Sequence, residues 1–481
     1  MTTSPVPVAA APSSSAVPSL QSAIVVGFIL MTFAGLAGVG GQLFAPAWSI
    51  AAALTAFALV IRAPAGFLAF VVSLWFYTPL LRRVLDLHHG FVPANLALAA
   101  PVLASSVAVL TVLKSARELR GNLFAPVLLV IAAITYGFLV GVLRNGVVPA
   151  FYAYLTWLSP ALVGLHTAMH WRRYPEMRDV FLKTLAWSIG PAALYGIVQF
   201  VLLPPWDFAW MVATDLKSIG EPQPFSVRVF GSMTMPGTFA VVMEVGLLLL
   251  LSARVRGRLP SLVLGFIGLL LSRIRTAWVG FVFGLVIQLV TQPMRKLPRN
   301  WITLLVVGIL SLPVITLPRF REGIAQRISS FTTVRDDISV RSRVMVARAS
   351  YDLVLDYAEG AGLGATGSAT VAGGGAGIRN FENGLLEVFY LFGWPGGLLF
   401  FLGVTGIVAQ GMRLADARFD EFANAVRSGA AALLASLLIS EIFTGAPGTL
   451  FWVLIGFGVA AHAHNLASGA TMAYRASFHT R

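Results

Sequence analysis

The chain has 481 residues, of which 57% are hydrophobic and only 11% are charged, and it carries a net charge of +14 with no cysteine. A soluble domain carries about 25% charged residues, so this composition excludes a string of soluble domains and indicates one integral membrane domain. The absence of cysteine excludes disulfides, thiolate metal sites and cysteine nucleophiles. Most of the positive charge lies in short loops between apolar segments. We therefore interpret it as a determinant of membrane orientation and expect no nucleic-acid partner.

The apolar segments predict an all-α, polytopic helical membrane protein with about 12–14 transmembrane helices. Residues 1–21 are rich in Pro, Ser and Ala and lack the basic start of a secretory signal, so we expect a disordered cytoplasmic tail. Transmembrane helices should fill 22–317 and 384–464, with a large, partly helical periplasmic loop at 318–383 and a cytoplasmic tail at 465–481. The candidate spans are 22–43, 46–62, 64–81, 94–113, 123–143, 147–169, 179–203, 236–253, 260–274, 276–292, 301–317, 384–408, 428–443 and 449–464. Merging the spans within 22–62, and the pair around Arg273, gives the lower number.

Lys and Arg residues are concentrated in alternate loops, which predicts that both termini are cytoplasmic. Arg82 and Arg83 are exceptions, because they fall on the predicted outer side. Five of the loops predicted to lie inside hold three Lys or Arg residues each: Lys114–Arg120, His170–Arg178, Arg254–Arg258, Arg295–Arg299 and Met412–Arg427.

The loop at 318–383 is then on the outer face, and its charge needs another explanation. It has about 65 residues and no lysine, and its arginines are Arg319, Arg321, Arg327, Arg335, Arg341, Arg343, Arg348 and Arg379. Arginine without lysine indicates bidentate recognition of an anion, and a lipid diphosphate is the anion that suits a membrane protein. Apolar spacing predicts an amphipathic helix over Ser339 to Asp356, and the Gly-rich stretch at 358–377 indicates a flexible hinge or lid.

Three polar clusters should converge on this outer face. The first contains Arg228, and the second contains Arg273 and Arg275 at a predicted hairpin. The third is the Arg-rich loop at 318–383, which ends in the sequence FENG at 381–384. Arginine at membrane depth is costly and usually functional. Other interpretations stay open: snorkelling for the hairpin pair, a loop salt bridge for Arg228, and a helix cap for Glu382. The intramembrane acids Glu244 and Glu441 could be proton-relay or substrate groups, but we favour a buried hydrogen bond between helices for both.

The motifs of these clusters resemble those of the O-antigen ligase and O-antigen polymerase superfamily of bacterial envelope glycosyltransferases. The resemblance covers roughly 225–410 and rests on five segments: RVFGSMTMPGTFA (228–240), SRIRTAWVG (272–280), SVRSR (339–343), GLG (362–364) and FENGLLEVFYLFGWPGG (381–397). It implies a membrane glycosyltransferase of the GT-C type in the bacterial inner membrane, with its active site facing the periplasm. The implied reaction is inverting and needs no metal or cofactor.

The same resemblance implies roles for individual residues. Arg228 and Arg275 would contact the diphosphate of a polyprenyl-linked glycan, and Glu382 would be the general base. Further substrate contacts are expected from Arg341, Arg343, Arg273, Arg379, Asn383 and Glu387. The implied partners are a lipid-linked oligosaccharide donor and acceptor, membrane lipids, a flippase and chain-length regulator proteins.

One departure from the family pattern affects the function. Ligases of this family typically place a His before the Asn at the start of the helix after the loop, whereas this chain has Glu382 before Asn383, and 318–383 contains no histidine. A carboxylate at a helix N-terminus is favoured in its ionised form and can act as a general base. The change favours a polymerase of exopolysaccharide, capsule or O-antigen units. An O-antigen ligase, a flippase of lipid-linked sugars and a non-catalytic scaffold remain alternatives.

Overall fold

The protein is a bundle of α-helices, and the computed structural model describes residues 20–115, 124–292, 297–321, 348–367, 369–370, 381 and 383–469. The described residues contain one isolated β-bridge, between Gly220 and Val227, and no longer strand. Numbered in chain order, the helices are α1 Leu20–Leu36, α2 Phe44–Arg62, α3 Pro64–His89, α4 Ala100–Ser106, α5 Val109–Lys114, α6 Phe124–Asn145, α7 Val147–Met169, α8 Tyr174–Leu202, α9 Pro205–Thr214, α10 Pro236–Ser252, α11 Arg258–Leu271, α12 Arg275–Thr291, α13 Leu297–Ile315, α14 Gly384–Gly411, α15 Leu414–Ala417, α16 Glu421–Ser436 and α17 Gly445–Ala467.

The predicted fold class is confirmed, because the described chain is helical and much of it is apolar enough to cross a membrane. Eight helices among the described residues meet the length and hydropathy of a membrane span, and five shorter apolar helices accompany them. The order of helices follows the predicted order along the chain. Each continuous apolar run predicts a helix, because a backbone group in a bilayer must be hydrogen-bonded within its own segment.

Helix boundaries differ from the prediction at several places; α1, for example, ends at Leu36, whereas the predicted span continues to 43. α3 continues to His89, although the predicted span stops at 81, and the predicted span at 94–113 is divided into α4 and α5. The chain from 437 to 444 is a loop, whereas the prediction placed a helix over 428–443. Residues 81–86 of this extension are buried, and the charged side chains among them form ion pairs inside the protein: Arg82 with Asp86, and Arg83 with Asp207.

The Gly-rich segment at 359–364 is packed between α6 and α14, so our prediction of a flexible hinge is wrong for this part of 358–377. Its backbone bonds to both helices: the amide of Leu363 donates to the carbonyl of Gly137 at 2.8 Å, and the amide of Ala361 donates to the carbonyl of Tyr390 at 2.7 Å. Hydrogen bonds on two sides hold the segment in place.

The glycines of this segment are required for close approach. Gly362 has a φ of +81°, and a Cβ there would lie 2.4 Å from the amide nitrogen of Gly141 on α6. On the other side, α14 is kinked at Gly393, which has a φ of +64°. A Cβ on Gly393 would lie 2.4 Å from the carbonyl carbon of Glu359. Only glycine adopts these angles and leaves this space without strain.

Candidate active site

The site lies at the end of the bundle that carries the loops 203–235, 272–274 and 437–444, which we call the outer end after its predicted orientation. Two of the predicted clusters meet there through hydrogen bonds to backbone carbonyls. The amide of Val229 donates to the carbonyl of Leu271 at 3.2 Å. The guanidinium of Arg273 reaches the carbonyl of Phe225 at 3.4 Å. The segments that carry Arg228 and Arg273 are therefore neighbours, as predicted.

Three arginines gather here, and two of them lie over phenylalanine rings. Arg273 lies over the ring of Phe200 and Arg319 lies over the ring of Phe225, each at 5.7 Å from the ring centre. Burial lowers the pKa of Arg273, and the nearby positive charge of Arg228 lowers it further. Arg273 also adopts a left-handed backbone conformation with a φ of +56°. Like charges held together in this way create a positive potential that favours an anion.

Arg275 is the first residue of α12, two residues beyond Arg273, and it is half-buried. Ile274, between the two arginines, lines the same cavity as Arg228. The predicted diphosphate contacts Arg228 and Arg275 thus lie on adjoining segments at one end of the bundle.

A cavity of about 530 Å³ opens beside these arginines. Its wall combines one basic and one acidic side chain, Arg228 and Glu441, with two aromatic residues, Trp75 and Tyr152. Among the described residues that line it, Glu441 is the one carboxylate. Hydroxyl groups of Thr78, Thr156, Ser218, Thr234, Thr238, Ser440 and Thr444 belong to residues of the same wall. Aromatic faces with many hydroxyls suit a polar ligand such as a sugar.

Glu441 is held in a fixed position by the turn that precedes α17. One carboxylate oxygen accepts hydrogen bonds from the amides of Phe443 and Thr444, the latter at 2.7 Å, and the other accepts one from the Thr444 hydroxyl at 2.6 Å. Burial raises the pKa of Glu441, and these three hydrogen bonds oppose the increase. The hydrogen bonds thus fix the orientation of the Glu441 carboxylate, and its pKa lies above the usual glutamate value.

The start of α14 adjoins the loop that carries Glu441. The amide of Gly384 donates to the carbonyl of Leu437 at 3.0 Å. The Asn383 side chain accepts a hydrogen bond from the amide of Leu386 at 3.1 Å, so it caps the helix. Glu387, one turn further, is buried and accepts a hydrogen bond from the Thr366 hydroxyl at 2.8 Å. The described end of the third cluster therefore lies beside the cavity wall, and the predicted roles of Asn383 and Glu387 stay predictions.

Four of the predicted site residues, Arg341, Arg343, Arg379 and Glu382, lie outside the described residues. Part of the predicted amphipathic helix does too, although 348–356 is helical. Their proposed contacts remain predictions.

A buried ion pair supports the segment that follows Arg228. The side chains of Arg83 and Asp207 are only 1% and 0% exposed, and Arg83 Nε lies 2.7 Å from Asp207 Oδ1, at an angle that does not make a hydrogen bond. The Arg83 guanidinium also donates to the carbonyls of Gly231 and Met233. Gln199 donates to Asp207 at 2.8 Å and accepts from the amide of Gly231 at 3.0 Å. Arg83 and Gln199 therefore fix the backbone of 230–233.

These ion pairs explain why Arg82 and Arg83 can lie on the predicted outer side, against the bias of Lys and Arg toward the inner loops. Arg82 pairs with Asp86 within α3 at 3.0 Å, and Arg83 is neutralised by Asp207 on α9. Sequence reasoning assigned neither a role at the site, although their violation of the charge rule was the available signal. It named Glu441 among the acids that could be substrate groups but favoured a buried hydrogen bond between helices, and the structure adds its place in the cavity wall.

Residues 260–401 match a family model described as O-antigen ligase. The match begins in α11 and ends in α14, and it includes Arg273, Arg275 and Glu387. It confirms the resemblance to the O-antigen ligase and polymerase superfamily, whose members are membrane glycosyltransferase-like enzymes. A search of curated proteins found no match.

Proposed function

We propose that the chain is a polysaccharide polymerase that transfers a glycan from a polyprenyl diphosphate to a lipid-linked repeat unit at the periplasmic face of the inner membrane. The observation that carries this proposal is the cavity of about 530 Å³, which holds Arg228 and Glu441 in one space. Arg273 and Arg319 add positive charge beside it. The family match at 260–401 supports the same class of reaction.

Charge stabilisation is the main requirement of this reaction. The bond between the anomeric carbon and the diphosphate oxygen breaks, its electron pair stays on the diphosphate, and the acceptor oxygen bonds to the opposite face of the sugar. Fixed arginines in a site poor in water stabilise the charge that develops on the leaving group. We assign this role to Arg228 and Arg275, with Arg341 and Arg343 closing over the diphosphate from the long loop. A guanidinium can meet two phosphate oxygens at once, which lysine cannot do as well.

The acceptor hydroxyl must lose its proton as its oxygen attacks, and the chain offers two carboxylates for this step. The family resemblance assigns it to Glu382. The structure adds Glu441, which faces the cavity beside Arg228 and is oriented by three hydrogen bonds. A general base must lie within hydrogen-bond reach of the proton it accepts, so position in the cavity supports Glu441 as the second candidate.

The acceptor distinguishes a polymerase from a ligase, since both use the same donor. The Glu at 382, where ligases typically have His, supports the polymerase. The transporter alternative needs a binding site near the middle of the membrane, whereas Arg228, Arg273 and Glu441 lie in loops at one end of the bundle.

A reconstituted reaction tests the proposal. Purified protein, lipid-linked repeat units and a chelator should yield a ladder of longer lipid-linked glycans. Arg228→Ala and Arg275→Ala should each reduce the rate by about 100- to 1000-fold, the usual loss when one charge-stabilising donor is removed. Whichever of Glu382 and Glu441 is the general base, its replacement by Gln should reduce the rate of ladder formation by about 100-fold or more.

Arg173→Ala is the matched control, because Arg173 forms an exposed pair with Glu176 at the opposite end of the bundle. It should keep the wild-type ladder. The polymerase is contradicted if wild type forms no ladder and instead moves lipid-linked sugar across a liposome bilayer. Unchanged ladders in both arginine variants would contradict the assigned diphosphate site.

A further inference from the structure

An apolar groove runs along α3 on the side that faces α1 and α2. It has a volume of about 560 Å³, and its wall includes Phe28 and Phe33 of α1, Trp48 of α2 and Phe70 of α3. Phe33 is 64% exposed and Ile29 is 46% exposed, so the groove opens on the apolar surface of the bundle. The α3 residues of its wall extend from Gly66 to Leu81, a helix length of about 22 Å.

The groove and the polar cavity meet at α3. Thr78 lines both of them, with Tyr77 and Leu81 on the groove side and Trp75 and Pro79 on the cavity side. A molecule with an apolar chain and a polar head could therefore occupy both spaces at once, with its change of polarity at Thr78. The head would then lie in the space that Arg228 faces.

Two unpaired polar atoms mark the junction. The hydroxyl of Thr78 is buried, with the residue 1% exposed, and it has no hydrogen-bond partner among the described residues. The indole N–H of Trp75, on the cavity side, likewise has no partner there. Buried polar groups in folded proteins are nearly always hydrogen-bonded, and an orphaned one needs an explanation. Both atoms are donors, so an oxygen-rich anionic group at the junction would satisfy them.

We propose that this groove holds the isoprenoid chain of the donor, and that the diphosphate lies in the cavity, where Thr78 and Trp75 donate to it together with Arg228. The inference rests on the proposed function and adds the position of the lipid. Because bilayer lipid is as apolar as the groove, transfer from lipid gives little affinity. The groove would instead orient the chain and select its length, while the diphosphate supplies the binding energy through the arginines. An ordinary phospholipid lacks the diphosphate and would compete poorly.

Photo-crosslinking locates the chain without any turnover. The probe is a sugar-free polyprenyl diphosphate that carries a diazirine on its isoprenoid chain, added to the full-length protein in nanodiscs. We expect crosslinked peptides from α1 and α3 that unlabelled polyprenyl diphosphate suppresses and excess phospholipid does not. Crosslinks on other helices, or equal competition by phospholipid, would overturn the inference. Failure of the probe to crosslink at all would instead count against the proposed donor as well.

A groove-filling variant gives a second readout. Ala69→Trp adds volume to the wall of the groove, and Val286→Trp adds the same side chain at an exposed apolar position on α12, outside the groove. Ala69→Trp should reduce the crosslink several-fold and raise the KM for a long-chain donor several-fold, with little change in kcat or in the KM for a short-chain donor. Val286→Trp should change none of these. Equal behaviour of the two variants would contradict the groove as the lipid site.

Discussion

At the scale of single residues, the ion pair of Arg83 and Asp207 predicts a large stability effect away from the reacting groups. Asp207→Asn should leave the Arg83 charge buried without a counter-charge, which costs about 3–5 kcal/mol when one partner of a buried pair is removed. Thermal unfolding in detergent measures this loss. Activity should also fall, because Arg83 holds the carbonyls of Gly231 and Met233 in the segment that follows Arg228.

Two further variants separate charge from packing. The double variant Arg83→Met with Asp207→Leu removes both charges, so it should be more stable than Asp207→Asn alone. The exposed pair of Arg173 and Glu176 is the control, and its loss should cost at most about 1 kcal/mol. Equal melting temperatures for Asp207→Asn and Arg173→Ala would show that the buried pair does not stabilise the fold.

The raised pKa of Glu441 predicts a pH dependence of activity. A base must be ionised, so the rate should rise with pH through a pKa above the usual glutamate value of about 4.3. Glu441→Gln should remove this acidic limb from whatever activity remains, and a pH profile of the reconstituted reaction shows it. If Glu441→Gln keeps the acidic limb of the pH profile, another group, such as Glu382, must account for that limb.

The stability contribution of Glu441 has the opposite dependence on pH. Its folded-state pKa is raised by burial, so the folded protein binds this proton more tightly than the unfolded chain does. The resulting stability is present below the unfolded pKa and is lost as pH rises through the folded pKa. Activity should therefore increase over the same range in which this contribution to stability declines.

Residue types and motif spacing predicted which arginines gather, but not how they are held. Arg228 and Arg273 were found from motifs, and their segments do adjoin. The contacts of Arg83 with Gly231 and Met233 join residues about 150 positions apart, so no local pattern reports them. The preference for a structural role of Glu441 has the same cause, since only the folded chain brings it to the cavity of Arg228.

At the scale of elements, the packed segment 359–364 predicts that its glycines are structural. Gly362→Ala should destabilise the protein by about 1–3 kcal/mol, because alanine is strained at positive φ and its Cβ would overlap the backbone of α6. Gly308→Ala on α13 is the matched control: nothing lies within 4 Å of its added Cβ, and alanine favours helix. Melting temperatures that fall equally, or not at all, would contradict the packing.

Helices were predictable because each follows from one continuous apolar run, whereas the role of 359–364 depended on its neighbours. Glycine favours flexibility in an isolated chain and close packing in a folded one, and the sequence does not distinguish these outcomes. Asn145 donates to the carbonyls of Ala361 and Leu363, at 3.0 and 3.1 Å. Those bonds join α6 to a segment about 216 residues later, beyond the reach of periodicity.

At the scale of the whole molecule, membrane orientation determines which compartment the cavity faces. The chain has no cysteine, so a single introduced cysteine reports its own side of the membrane without background labelling. Glu221 is exposed in the loop between α9 and α10, and Arg256 is exposed in the loop between α10 and α11. Since one helix separates these loops, the two positions should lie on opposite faces.

An impermeant thiol reagent applied to the periplasmic side should label Glu221→Cys in intact cells and label Arg256→Cys only after the inner membrane is opened. This outcome follows from the Lys and Arg bias of the inner loops, which holds once Arg82 and Arg83 are recognised as internally neutralised. The reverse pattern would place Arg228 and Glu441 on the cytoplasmic side. Polymerisation there would use lipid-linked units before their transfer across the membrane, and the periplasmic reaction would be wrong even if the chemistry of the site were right.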